Sequence, residues 1–301
     1  MSIKKSAHVY RTDLVSLGIA QGQKETVPYL SATTEYDKSG RPTLQISFSS
    51  EGGVTEKTIL GYDDAGRVIR QVHFSEEEEG AGEKSFEYDT NGTLMVEQTH
   101  YLDGSVDATT YRYNQLSQLV EKVTRNEEGE PEAVEHFRYS GEYLTEHEVV
   151  DADGERVLME QFEYTTGGKM IMHQHENEET GEFFRLRVEY DVAGRRIAER
   201  IYDDDDNLLE TTYFTEREDG KLLQTIEEQG RTKKVKDYAY DDQGHNLGYT
   251  ETNDQGEQVV VVTHHYDSTG NPVHSLVFVN SGGRVAGSQH YTLDYRYEWY
   301  D

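Results

Sequence analysis

The chain of 301 residues has no cysteine. That removes any disulfide framework, any thiolate nucleophile and any cysteine metal site. It fits a reducing compartment. Proline is nearly absent, with Pro28, Pro42, Pro131 and Pro272 the only four, and there is one tryptophan, Trp299. No stretch approaches the roughly 18 apolar residues that a membrane helix needs. The start, Met1 to Ser6, has basic residues without an apolar core behind them, so no secretory signal is expected there. Basic residues are outnumbered, 29 against 59 acidic, for a formal charge of −30. Nucleic-acid binding needs a basic surface, so it is not expected. G-x-S-x-G, HExxH and a phosphate-cradling glycine loop are all missing.

What is present is tyrosine, 22 residues of it, and period. Tyr10, Tyr36, Tyr62, Tyr88, Tyr113, Tyr139, Tyr164, Tyr190, Tyr213, Tyr240, Tyr266 and, more loosely, Tyr295 recur at steps close to 26 residues. A steady period of that size indicates a repeat architecture. Glycine follows four residues later at Gly40, Gly66, Gly92, Gly168, Gly194, Gly244 and Gly270. Ser117 takes its place after Tyr113, Gly141 comes early and Gly220 late. Asp or Asn after the tyrosine can bond the backbone two residues on, and glycine supplies positive φ, so the hexad encodes a turn. Its flanks alternate with period two, as at Phe86/Tyr88, Tyr111/Tyr113 and Phe162/Tyr164, which is a strand signal. Each period holds a second turn midway, for example Asn126 to Gly129, Asp151 to Gly154 and Asn253 to Gly256. One period is therefore two strands and two turns.

The hexads Tyr36-Asp37-Lys38-Ser39-Gly40-Arg41, Tyr62 to Arg67 and Tyr190 to Arg195 resemble the YD repeat of the Rhs-like family. The resemblance spans residues 30 to 301, with a degenerate copy at Tyr10. It implies a β-sheet that spirals on itself. In larger members that spiral is a shell around a toxin, as in polymorphic toxins and insecticidal toxin complexes. No proline here follows Asp, so the D-P-x-G-like junction of those shells is missing.

The expected fold is all-β: a single elongated repeat domain, an antiparallel meander of about twenty strands, curled or spiralled. Residues 1 to 30 are read as an irregular cap or degenerate first repeat, and 31 to 301 as the repeat domain. A bulge or longer turn is expected near Tyr213, where the phase breaks. The midway turns are acidic, while the tyrosine turns often end in a cation (Arg41, Arg67, Lys169, Arg195, Lys221). In a meander alternate turns lie on opposite edges, so one acidic and one mixed rim are expected.

The best functional expectation is a non-catalytic scaffold that binds a protein partner, a basic one suiting the charge. The family resemblance implies a bacterial toxin-delivery or toxin-immunity context. The candidate partner-binding residues are Glu76, Glu77, Glu78 and Glu79, Asp203, Asp204, Asp205 and Asp206 on acidic turns, and Tyr295, Tyr297 and Trp299 on the last strand. A carbohydrate-binding surface module is a second reading, because aromatic faces stack on sugars. A hydrolase with its site in the curl is a third, but no carboxylate stands out in an apolar setting. Asp151 to Gly154 and Asp203 to Asp206 are incomplete as calcium loops. His173 and His175 share a strand face and could ligate a metal with a carboxylate, although strand histidines are mostly structural. No catalytic residue, metal or cofactor is assigned. A cytoplasmic location is expected, with export by a specialised secretion system left open. No membrane insertion is expected, and the ends could self-associate.

Overall fold

The computed structural model describes residues 3–16, 23–76, 80–280 and 288–301. The described residues form strands and turns only. The strands are β1 (Lys4–Ser16), β2 (Gln23–Glu25), β3 (Tyr29–Tyr36), β4 (Pro42–Phe48), β5 (Val54–Tyr62), β6 (Val68–Ser75), β7 (Gly80–Tyr88) and β8 (Leu94–His100). They continue with β9 (Val106–Tyr113), β10 (Leu119–Arg125), β11 (Pro131–Ser140), β12 (Tyr143–Asp151), β13 (Arg156–Tyr164), β14 (Met170–Asn177), β15 (Glu182–Tyr190) and β16 (Arg196–Tyr202). The last are β17 (Leu208–Glu216), β18 (Leu222–Gln229), β19 (Thr232–Tyr240), β20 (Asn246–Thr252), β21 (Gln258–Tyr266), β22 (Pro272–Val279) and β23 (Gln289–Trp299).

Successive strands pair antiparallel from β3 to β23, as the repeat predicts. The expected curled or spiralled sheet is corrected in one respect: the sheet closes on itself as a barrel. β1 pairs with β3 from Ser6↔Glu35 to Arg11↔Tyr29 and with β23 from Lys4↔Trp299 to Asp13↔Tyr291. The result is a closed antiparallel barrel of 22 strands, with β2 added outside the ring against Leu14 to Ser16. Residues 1 to 30 thus supply a wall strand that removes the sheet edge, which is the strongest way to protect it. At about 4.8 Å per strand, measured across the strands, the perimeter is about 105 Å, so a circular section would be at least about 34 Å across between backbones and wider as the strands tilt.

The tyrosine turn explains both the hairpins and the bending. Asp37 N–H donates to the Arg41 carbonyl (2.8 Å) and Gly40 N–H to the Asp37 carbonyl (2.9 Å). That is a three-residue hairpin loop, a type I turn closed by a left-handed residue, here Gly40 at φ 79°. The Asp37 carboxylate accepts from the N–H groups of Ser39 (2.8 Å) and Arg41 (3.0 Å). Beside each in-phase tyrosine the ladder register shifts, as at Glu35/Tyr36, Gly61/Tyr62, Glu87/Tyr88, Glu163/Tyr164 and Glu189/Tyr190. Such bulges bend a strand and increase its twist. Repeated at one height round the sheet, they supply the curvature that closure requires.

Of the bulge or longer turn expected near Tyr213, the strand shows the bulge, a register shift at Thr215/Glu216, and the turn keeps its ordinary length. The loop Arg217 to Lys221 has the same two hydrogen bonds as the others, 2.7 and 3.0 Å. The in-phase position is Glu216, where the register shift falls, and Tyr213 pairs with Ala198 on the other face. The period shortens later, at the two-residue turn between Gln229 and Thr232. Ser117 (φ 59°) and Asp206 (φ 62°) hold the left-handed position where glycine is missing, so those turns keep their geometry.

The wall is one sheet thick. Among the described residues, strands touch only their hydrogen-bonded neighbours. Among the described residues only Val123, Val188 and Ala198 are buried apolar side chains. Stability therefore rests on cross-strand pairs on both faces rather than on a packed core.

Candidate functional site

The meander places the two sets of turns on opposite rims, and the rims are built from similar hairpins. On the tyrosine rim most turns are tied to the next repeat. Arg41 pairs with Asp37 (2.6 Å), and its guanidinium lies over the Tyr62 ring at 4.5 Å. The Tyr62 hydroxyl donates to the Pro42 carbonyl (2.7 Å). Arg67, Asp63 and Tyr88 repeat the arrangement, with the Tyr88 hydroxyl on the Val68 carbonyl (2.8 Å). Lys169 lies over Tyr190 and Lys221 over Tyr240, while His245 stacks on Tyr266 at 4.9 Å. Each basic side chain also runs beneath the next turn's glycine. A Cβ on Gly66 would stand 2.9 Å from Arg41 Nη1, and one on Gly270 3.0 Å from His245 Nε2. Where the hexad erodes, Gln118 donates to the Gly141 carbonyl (2.8 Å) and Tyr143 stacks on Tyr164. Hydrogen bonds from backbone N–H groups hold the Asp37, Asp63 and Asp191 carboxyls below the usual carboxylate range. Asp267 is pulled down to about 2, chiefly by the Thr269 hydroxyl.

The other rim carries the acidic turns. Glu76 begins the turn after β6 and donates its N–H to the Thr55 carbonyl. Glu77, Glu78 and Glu79 lie outside the described residues. Asp203 is held within its own turn, accepting from Asp205 N–H (3.1 Å) and Asn207 N–H (2.7 Å), and its carboxyl is lowered, chiefly by the Asn207 amide. Asp206 pairs with Arg185. Asp204 and Asp205 are exposed, as are Glu127, Glu128 and Asp153 on other turns of this rim. The rim thus separates carboxylates that build turns from carboxylates that face solvent.

Tyr295, Tyr297 and Trp299 lie far from those turns, on the closing strand. Tyr295 comes 3.4 Å from the Ser275 hydroxyl, and the Tyr297 hydroxyl donates to the Pro272 carbonyl (2.8 Å). Tyr297, not Tyr295, therefore repeats the Tyr62 contact, and burial pushes its hydroxyl up to about 12. Lys4 Nζ lies 4.4 Å from the Tyr297 ring centre, and Trp299 is about 41% exposed. These three aromatics belong to the seam between β23 and β1, so the last strand docks on its own sheet.

Both faces are charged at mid-strand. One face carries Arg70–Glu83 (2.7 Å), Arg112–Glu121 (3.0 Å) and Arg138–Glu146. Following the register round the barrel puts a polar belt on the tyrosine face, and sequence reading missed it. Lys84 meets Glu97 (2.6 Å), which also accepts from the Tyr111 hydroxyl (3.1 Å). Lys122 meets Glu135 (2.6 Å), and His147 stands between Glu135 (3.1 Å) and Glu160 (2.8 Å). His173 and His175 approach Glu160 at 3.1 and 3.5 Å. Phe137 stacks flat on His147, and Phe162 on His173. His173 and His175 do share a face with a carboxylate, but among the described residues no three such groups are placed to hold a metal ion. His264 bonds Ser275 (2.8 Å), and burial lowers its pKa.

No protein-family model and no curated protein matches the sequence. Among solved structures the chain is similar to the TcdB2-TccC3-TEV structure, with a TM-score of 0.32 and 11% identity over 84% of this chain and 18% of that one. It is similar to TcdB2-TccC3-Cdc42, with a TM-score of 0.33 and 10% identity over 97% and 22%. It is also similar to a porin-like protein from Bacteroides uniformis, with a TM-score of 0.33 and 13% identity over 98% and 96%. The chain spans less than a quarter of either TcdB2-TccC3 chain. Scores this low carry no argument, so the fold rests on the strand pairing.

Proposed function

We propose that this barrel is a non-catalytic scaffold that binds a basic polypeptide partner at its acidic rim. The observation that carries the reading is the division of the rims. On the tyrosine rim, turn charges and ring faces are used to join neighbouring repeats. On the acidic rim, Asp204, Asp205, Glu127 and Glu128 face solvent with no repeat to join. Complementary charge raises association rates and sets partner choice. The hexad's likeness to the YD repeat suggests a toxin-delivery or toxin-immunity setting.

The barrel is best understood as a body standing in water. A membrane barrel needs an outward apolar band of about 25 Å. Arg70–Glu83 and Arg112–Glu121 interrupt one face, and Lys84–Glu97 and the histidine belt interrupt the other. Cytoplasmic residence or export both agree with that. Glycan stacking is less favoured, because Tyr62, Tyr88 and Tyr190 already carry a cation over the ring.

The test is binding of polylysine as salt is raised, in wild type and two charge-matched variants. D204N/D205N should weaken binding several-fold and flatten its salt dependence. D64N/D242N, on the tyrosine rim, should leave it near wild type. Equal losses in both variants would overturn the assignment to one rim.

A further inference from the structure

The polar belt contains one group whose contacts demand a particular protonation state. His147 Nδ1 lies 2.8 Å from Glu160 Oε2, and Nε2 lies 3.1 Å from Glu135 Oε2. An ionised carboxylate only accepts hydrogen bonds, and a neutral imidazole has only one N–H to give. Both contacts are hydrogen bonds only when the ring carries both protons. Phe137 lies flat against that ring at 4.5 Å, with planes 5° apart, so it cannot easily turn to satisfy one partner alone. The group is largely covered, with the His147 side chain 14% exposed.

We propose that His147 is a proton-operated clasp in the barrel wall, tying Glu135 of β11 to Glu160 of β13 across β12. Loss of the second ring proton releases one carboxylate and removes the positive charge that stood between the two acids.

The groups facing the clasp come from every neighbouring strand. β9 presents Tyr111, β10 Lys122, β11 Glu135, β13 Glu160, and β14 His173 and His175. On the opposite face of the same strands lie Arg138, Glu146 and Glu148. Glu135 has a second cationic partner in Lys122 (2.6 Å). Glu160 has only histidines, so it is the side that loosens.

The direction follows from the charges. Hydrogen bonding to Glu135, then to Glu160, raises the His147 pKa against the opposing effect of burial. Stability from a raised histidine is complete below about 6.5 and is lost as pH rises through the folded value. Glu135 is lowered, chiefly by its hydrogen bond from His147, and Glu160 is lowered by the three histidines despite desolvation. Their contributions disappear as pH falls through the lowered carboxylate values. The clasp is therefore fully closed in mildly acidic solution and opens on alkalinisation.

Two measurements on the whole chain test this. A proton NMR titration of His147 should give a midpoint above 6.5, which falls toward 6.5 in E160Q. Hydrogen exchange, corrected for intrinsic rates, should show β11 to β13 losing protection between pH 5.5 and 8.5, by about tenfold for each unit that the His147 midpoint is raised. In H147F, which keeps the stack on Phe137, that pH step should vanish, while β20 to β22 behave alike in both proteins. A wild-type His147 midpoint at or below 6.5 would overturn the clasp, and so would an equal pH step in H147F.

Discussion

The two rims use similar turns to different ends, and the glycines show it most clearly. On the acidic rim a Cβ at Gly52, Gly104, Gly129, Gly154 or Gly256 would meet nothing within 4 Å. On the tyrosine rim a Cβ at Gly194 would stand 2.5 Å from Lys169 Nζ, and one at Gly244 1.9 Å from Lys221 Nζ. Glycine is needed for positive φ on both rims, but only on the tyrosine rim does it also let a neighbour's side chain pass. One rim is a chain of interlocked repeats. The other is joined more sparsely, by ion pairs such as Arg156–Glu178 and Arg185–Asp206, and its glycines touch no neighbouring turn.

The sharpest way to break this comparison is to substitute the glycines. G168A should destabilise by about 2–4 kcal/mol and G129A by about 1 kcal/mol, since both carry the left-handed penalty and only the first drives a Cβ into the Tyr143 ring. Denaturant unfolding measures both, and equal losses would mean the rims are not differently coupled. A finer probe removes one hydroxyl. Y88F should cost about 1 kcal/mol by leaving the Val68 carbonyl without its donor, whereas Y213F, out of phase, should cost about none. R67Q should lose about 0.5–1 kcal/mol through its contact over Tyr88, read as a shift in unfolding midpoint. The smallest effect is in acid. Asp63, Asp191 and Asp267 are lowered in the folded chain, so their contribution is present above about 3.8 and lost as pH falls through the lowered values. Asp203 on the acidic rim is lowered too, so wild type should lose midpoint temperature gradually below pH 4, and D267N should lose less.

Much of the architecture was legible in the residues. Asp37, Gly40 and Arg41 encode their turn locally, because all its bonds are made within five residues. The alternation around Tyr88 gives the strands for the same reason. Closure was not legible, because it joins opposite ends of the sequence, as in Lys4 with Trp299, and β1 carries no hexad of its own. Tyr213 misled because a tyrosine near the expected spacing is indistinguishable from an in-phase one until Glu216 is seen opposite Leu222. The belt was hidden because Glu135, His147 and Glu160 sit 12 and 13 residues apart, a spacing that means neighbouring strands only once each hairpin length is known. Of the candidate binding residues, Asp203, Asp206, Tyr295 and Tyr297 turned out to have partners within the fold, and no local signal separates Asp203 from the exposed Asp204.

The seam between β1 and β23 has a topological consequence. Tyr300 N–H donates to the Ile3 carbonyl (2.9 Å), so residues 3 and 300 lie side by side on the ring. A ring of near-equivalent hairpins joined there has no privileged starting point. A short linker between those ends, with a new opening at the loop 126–130, should yield a circular permutant that folds to the same barrel.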